Sequence, residues 1–161
     1  MRSSLLLAGL FLGFAAGAYA QKAVIIVRHA ERADDSKDTR LSPKGIERAK
    51  SLARVLRDAE ISAVYVTQYR RTLETAQSVV ESRNLKPVTI SSDDVEGLVR
   101  KVRADHADQV VLVVGHSDTV PDIIRALGHL EQVTVETSEF DNLFVVVPQT
   151  AGPPSVIRLR Y

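Results

Sequence analysis

The chain has 161 residues, of which 45% are hydrophobic and 25% charged, with 21 Lys and Arg against 20 Asp and Glu. This is the size and composition of a single globular domain with a core of its own. The balanced charge makes no case for nucleic acid or a membrane surface as a partner. The absence of cysteine excludes thiolate zinc sites and cysteine nucleophiles.

Residues 1–20 stand apart from the rest. Arg2 precedes an uncharged apolar run from Leu5 to Ala18, and Ala18-Tyr19-Ala20 forms a small-x-small cleavage pattern. This predicts a signal peptide over residues 1–20, with a mature domain over residues 21–161 exported to the periplasm or beyond. The alternative is an uncleaved anchor, but the run is short of the roughly 20 residues that span a bilayer. Without Arg2 the basic and acidic residues are equal in number.

Ala23 to Val27 is a continuous, largely β-branched run, the pattern of a central strand buried on both faces. Ala30 to Arg40 is polar and predicts a loop. Ser42 and Pro43 then open a helix as N-cap and first helical residue, with Ile46, Ala49, Leu52, Ala53 and Leu56 along one face. Ala63 to Val66 predicts a second strand. A helix over about Arg70 to Arg83 follows, with Leu73, Ala76 and Val80 as its apolar stripe and Arg70 either solvated or paired with Glu74 at i+4. Val88 to Ile90 predicts a third strand, and Val95, Leu98 and Val102 mark another helix. Val110 to Val114 is the second strongly buried strand, ending at Gly115. Pro121 to Leu127 predicts a short helix closed by Gly128. Leu143 to Val147 and Val156 to Leu159 predict two final strands paired at one side of the sheet. The alternation predicts an α/β fold, a three-layer sandwich with a mostly parallel central sheet and helices on both faces.

Ligands of such sheets bind beyond the carboxyl ends of the strands. Arg28-His29-Ala30-Glu31-Arg32 follows the first strand, Thr67 to Ala76 with Arg70 and Arg71 follows the second, and Gly115-His116-Ser117-Asp118 follows the fourth. Two histidines and several arginines therefore converge on one rim, which suits phosphoryl transfer: arginine forks bind phosphate, and catalysis is mostly positioning and charge stabilisation. A histidine attacks phosphorus through one ring nitrogen when the other donates to a fixed acceptor, commonly a backbone carbonyl. A protonated second histidine would neutralise a further phosphate oxygen. His106 and His129 are expected at the surface. Asp34-Asp35 and Asp93-Asp94 lack the spacing of a calcium loop; no metal site and no cofactor is expected. Tyr69 either lines the pocket or caps its rim.

The same residues resemble a known family. Arg28-His29-Ala30-Glu31 after a buried first strand, Arg71-x-x-x-Thr75-Ala76, Gly115-His116-Ser117 and Leu41-Ser42-x-x-Gly45-x-x-x-Ala49 are together similar to the motifs of the histidine phosphatase superfamily, the phosphoglycerate mutase-like fold. The resemblance runs in order from about Ala23 to Leu127. It implies His29 as phosphoryl acceptor, with Arg28, Arg71 and His116 completing the phosphate pocket and Arg32 as a further phosphate-binding arginine. Ala30 stands where a glycine is common. No segment matches the mutase-type glutamate loop, so the general acid is sought in Asp118 first, then in Glu31, Asp93 and Asp94.

The leading expectation is a metal-independent phosphatase acting through a phosphohistidine intermediate. Its partners would be a phosphorylated small molecule, envelope glycan or phosphoprotein, with no nucleic acid and no stable membrane insertion after cleavage. A non-catalytic phosphate-ester binding module is the alternative, and a phosphomutase a weaker one. The loops Asp34 to Arg40, Ser91 to Glu96 and Gly128 to Asp141 are short, which predicts an open pocket.

Overall fold

The computed structural model describes residues 22–161; the leader expected over residues 1–20 lies outside them. The β-branched runs form strands as their composition dictates: β1 (Ala23–Arg28), β2 (Ile61–Val66), β3 (Val88–Thr89) and β4 (Val110–Gly115), followed by β5 (Asn142–Val147) and β6 (Ser155–Arg160). They make one sheet in the order β3-β2-β4-β1-β5-β6. The β3-β2, β2-β4 and β4-β1 pairs are parallel, while β1-β5 and β5-β6 are antiparallel. The two strongest runs, β1 and β4, lie side by side at the centre, with Val27 opposite Val114 and Arg28 opposite Gly115. This register brings the two histidine-bearing segments out of the sheet together.

Helices α1 (Pro43–Val55) and α2 (Arg70–Ser82) cover one face, where Leu52, Leu56, Ala76 and Val79 pack on Ile25, Val27, Val64 and Leu112. Helices α3 (Val95–Asp105) and α4 (Thr119–Ala126) cover the other, with Leu98, Val102, Ile123 and Ile124 against Val24, Ile26, Tyr65 and Val113. The three-layer α/β arrangement is the one expected. Successive side chains of a strand alternate between the two cores, so a run apolar at every position is what such a strand requires.

The helices differ from expectation at three places, two in the buried face and one in the starting residue. Ile46 on α1 is 47% exposed, and Gly45 is turned inward instead. A Cβ on Gly45 would stand 2.3 Å from the Glu31 carbonyl oxygen, so the helix approaches the β1 loop more closely than any side chain at that position permits. On α2 the buried residues are Thr72, Thr75, Ala76 and Val79, while Leu73 is 39% exposed. The two threonines go inside without cost to their hydroxyls, since Thr72 donates to the Tyr69 carbonyl at 2.8 Å and Thr75 to the Arg71 carbonyl at 2.7 Å. Helix α4 begins at Thr119, two residues before Pro121, because Asp118 caps it by accepting from the Thr119 amide at 2.9 Å.

Candidate active site

The cluster is built from strand ends. The His29 amide donates to the Gly115 carbonyl at 2.9 Å, extending the β1-β4 ladder by one bond and holding His29 beside His116. Their ring centroids are 5.2 Å apart, edge to face. Next along the chain, the Ala30 amide donates to Thr75 Oγ1 at 2.9 Å, which ties the end of β1 to the first turns of α2 and so to Arg71.

His29 is buried, and its Nδ1 lies 2.8 Å from the carbonyl oxygen of Ala30. A carbonyl only accepts, so Nδ1 carries the hydrogen and Nε2 keeps its lone pair. Burial pushes the pKa of His29 down to about 3, with His116, Arg28 and Arg71 acting in the same direction and the Ala30 bond partly opposing them. The ring is therefore neutral near pH 7 and presents one basic nitrogen. His116 is also buried, and burial, assisted by Arg71 and Arg28, pushes its pKa down to about 4. The second histidine is thus uncharged in the unliganded site, where two arginines supply positive charge beside it.

Arg28 is held by a segment far away in the chain. Its Nη1 donates to the carbonyls of Glu136, Thr137 and Glu139 at 3.1, 2.8 and 3.0 Å, and its guanidinium lies 4.0 Å from the Phe140 ring centroid. Glu139 is in turn fixed by Arg158 and Arg160 of β6, at 3.1 and 2.6 Å. Arg71 stacks 4.3 Å from the Tyr69 centroid, donates to the Lys37 carbonyl at 2.8 Å, and brings Nη2 to 3.5 Å from His116 Nδ1. The buried Nε atoms of Arg28 and Arg71 have no hydrogen-bond partner among the described residues. The side chains of both arginines nevertheless line one hollow, and their paired positive charge there suits an oxyanion.

These groups line an open cleft of about 690 Å³, with His29, His116, Arg28, Arg32 and Arg71 in its walls. All four members of the expected core set meet there. Arg32 also lines the cleft, with its guanidinium paired to Asp35 at 2.8 Å. Tyr69, left open by the sequence, forms part of the wall. Among the candidate acids Asp118 and Asp93 line the cleft. Glu31 does not: Arg48 grips both of its oxygens at 2.7 to 3.0 Å, and Lys44 lies at 3.3 Å. Asp94 caps α3 by accepting from the Gly97 amide at 2.8 Å and lies outside the cleft wall.

Other expectations change as well. Arg70 pairs with Asp38, through its backbone amide at 2.8 Å and its Nε at 3.0 Å, instead of with Glu74. Asp38 thereby caps α2 from another loop, since Tyr69 at the N-cap offers no side-chain bond. His106 is not a plain surface residue; it bridges the Tyr65 hydroxyl at 2.8 Å and Gln109 Oε1 at 2.9 Å at the end of α3. Sequence reasoning missed Thr67, Thr137, Asp122 and Phe140. Thr67 directly follows β2 and was legible as a strand-end residue, whereas Thr137, Asp122 and Phe140 reach the cleft only through tertiary folding. Among the described residues no group of three or more His, Asp or Glu side chains is placed to hold a metal ion, and no helix is long and apolar enough to cross a membrane.

A central parallel sheet with imidazoles and guanidiniums at the ends of β1, β2 and β4 defines a class of α/β protein with an anion-sized site on its rim. The model of the histidine phosphatase superfamily (branch 1) matches residues 24–96, which include β1 with His29 and α2 with Arg71. In that matched segment and in its fold the chain is similar to the histidine phosphatase superfamily. Among solved structures, the protein histidine phosphatase SixA complexed with tungstate is 22% identical, with a TM-score of 0.67 over 86% of this chain and 96% of that one. A mycobacterial glucosyl-3-phosphoglycerate phosphatase is 14% identical, TM-score 0.67, over 87% and 98%. A phosphoserine phosphatase of Entamoeba histolytica, solved with 3-phosphoglyceric acid, is 14% identical, TM-score 0.67, over 88% and 98%. At these identities the likeness is one of fold. No curated protein sequence matches the chain.

Proposed function

We propose that this protein is a metal-independent phosphatase that hydrolyses phosphomonoesters or phosphohistidine through a phosphohistidine intermediate on His29. One observation carries the proposal: a neutral imidazole, with Nδ1–H fixed on the Ala30 carbonyl, stands in the same cleft as the side chains of Arg28, Arg71 and His116. In the reaction Nε2 of His29 attacks phosphorus, and the P–N bond forms as the bond to the leaving group breaks. Arg28 and Arg71 stabilise the charge spread over the equatorial oxygens. Water then attacks the phosphohistidine, releasing phosphate and restoring the neutral ring. Asp118 is the first candidate to protonate the leaving group and Asp93 the second, since both line the cleft.

Both carboxylates are exposed, and Asp118 already accepts from the Thr119 amide. This arrangement favours substrates whose leaving group needs little assistance, phosphohistidine among them, the substrate class named for the SixA neighbour. The open cleft favours macromolecular or varied small substrates, and the leader pattern favours an exported enzyme acting on envelope glycans or phosphoproteins.

Residues 21–161 assayed with an aryl phosphate and with a phosphohistidine peptide, both in chelator, are expected to release phosphate. Rapid quenching should trap acid-labile phosphate on His29. Tight phosphate binding without turnover or a trapped phosphoenzyme would instead identify a non-catalytic binding module.

A further inference from the structure

His116 is held differently from His29. Its Nε2 is 3.0 Å from Thr67 Oγ1 and its Nδ1 is 3.5 Å from Arg71 Nη2. A guanidinium only donates, so the nitrogen facing it must offer a lone pair. The hydrogen of the neutral ring therefore sits on Nε2 and is donated to Thr67. The Thr67 hydroxyl turns its own hydrogen to Thr72 Oγ1 at 3.2 Å, and Thr72 donates to the Tyr69 carbonyl at 2.8 Å. Thr72 is fully buried at the start of α2, and its oxygen also accepts from the Thr67 amide at 3.1 Å. The reverse direction would set an Nδ1–H against the Arg71 guanidinium, donor against donor.

We propose that Thr67, backed by Thr72, is a positioning residue that locks His116 in the Nε2–H form, so that a proton taken up when a phosphate group binds goes to Nδ1, the nitrogen beside Arg71. The two imidazoles of the cleft are thereby fixed in opposite tautomers, His29 as Nδ1–H and His116 as Nε2–H. The groups that set the charge of His116 are Arg71 and Arg28, which disfavour the cation, and Asp118, which favours it, with neutral His29 and Tyr69 at its edges. A phosphate monoanion entering the cleft reverses that balance. It passes its proton to Nδ1 and becomes a dianion; the imidazolium then donates to a phosphate oxygen through Nδ1 and to Thr67 through Nε2. The inference rests on the phosphatase reading for its catalytic consequence alone, since the tautomer belongs to the unliganded protein.

Long-range ¹H–¹⁵N spectra of the histidine-labelled protein test it, with His116 assigned from His116→Asn. At pH 7 the wild type should show His116 as neutral Nε2–H and His29 as neutral Nδ1–H. Inorganic phosphate should convert His116, and not His29, to the doubly protonated form. Thr67→Val should yield mixed tautomers of His116, and phosphate binding and kcat/KM should fall roughly three- to tenfold, the scale of one hydrogen bond. The alkaline limb of the pH profile should move to lower pH, because the imidazolium loses an acceptor. Thr67→Ser should restore all of these. An Nδ1–H signature for His116 in the wild type, or a folded Thr67→Val protein with unchanged spectra, overturns the proposal. If Thr67→Val does not fold, the wild-type and Thr67→Ser spectra still decide. Absent turnover with an intact Nε2–H signature would count against the phosphatase reading and not against the lock.

Discussion

Arg28 and Glu31 lie three residues apart at the end of β1, and their surroundings are opposite in kind. Glu31 is fully matched: Arg48 binds both oxygens, Lys44 adds a second positive charge, and Arg48 also donates to the Tyr161 carbonyl at 3.1 Å. Arg28 has no carboxylate partner among the described residues. Three carbonyls and an aromatic face hold it in place, its Nε is unpaired, and a second arginine in the same state is nearby. A matched buried ion pair completes a structure. A gathering of like charges raises the energy of the empty site and lowers it when an anion arrives. The contrast separates the residues that build this rim from those that act on it.

The sharpest break of that contrast is His29→Ala. It should reduce turnover to roughly 10⁻⁴ of wild type or less, the scale seen when a nucleophile is removed, and abolish acid-labile phosphate in a quench experiment while the circular dichroism spectrum persists. Next comes Arg28→Lys, which keeps the charge but loses the planar guanidinium that binds three carbonyls through Nη1 and lies over Phe140. It should lower kcat/KM by about 10²-fold, comparable with losing one oxyanion donor, as read from initial rates. Arg48→Leu tests the other cluster. Largely buried Glu31, left with only the exposed Lys44 as partner, should cost up to about 3 kcal/mol of unfolding free energy in urea titrations, with kcat of the folded protein unchanged; a large loss of kcat would erase the distinction between the two clusters.

A subtler test uses pH. Both histidines have folded pKa values, about 3 and about 4, below the ordinary 6.5. The unfolded chain therefore binds more protons in this range, and stability present above pH 6.5 is lost as pH falls toward those values. Between pH 6.5 and 5.5 each histidine should contribute about 1 kcal/mol of loss, measured by urea titration at the two values. Saturating phosphate should flatten the slope, because the bound state takes up a proton at His116. The smallest effect belongs to the misassigned helix stripes: Ile46→Lys and Leu73→Gln should each change stability by no more than about 0.5 kcal/mol, whereas Val79→Ala should cost more than either.

Much of the fold was legible because hydrophobic period and local chemistry dictate elements one at a time. The β-branched runs marked the strands, Ser42 and Pro43 marked the start of α1, and the strand-end rule put Arg28, His29, Arg71 and His116 on one rim. Helix orientation was less legible. Gly45 faces inward for the closeness it allows to Glu31, and Thr72 and Thr75 face inward because the backbone of their own helix satisfies their hydroxyls. A count of apolar side chains registers neither effect.

Sequence alone settled which residue types come to the cleft, since that follows from strand order and from what stands at each strand end. Tertiary structure decided their chemical state. The tautomer of each histidine depends on which single acceptor or donor lies within 3 to 3.5 Å, and the placement of Arg28 depends on a loop more than a hundred residues away that is braced by the arginines of β6. Directional bonds of that kind act through space between segments with no sequence relation, so only the assembled sheet could show them.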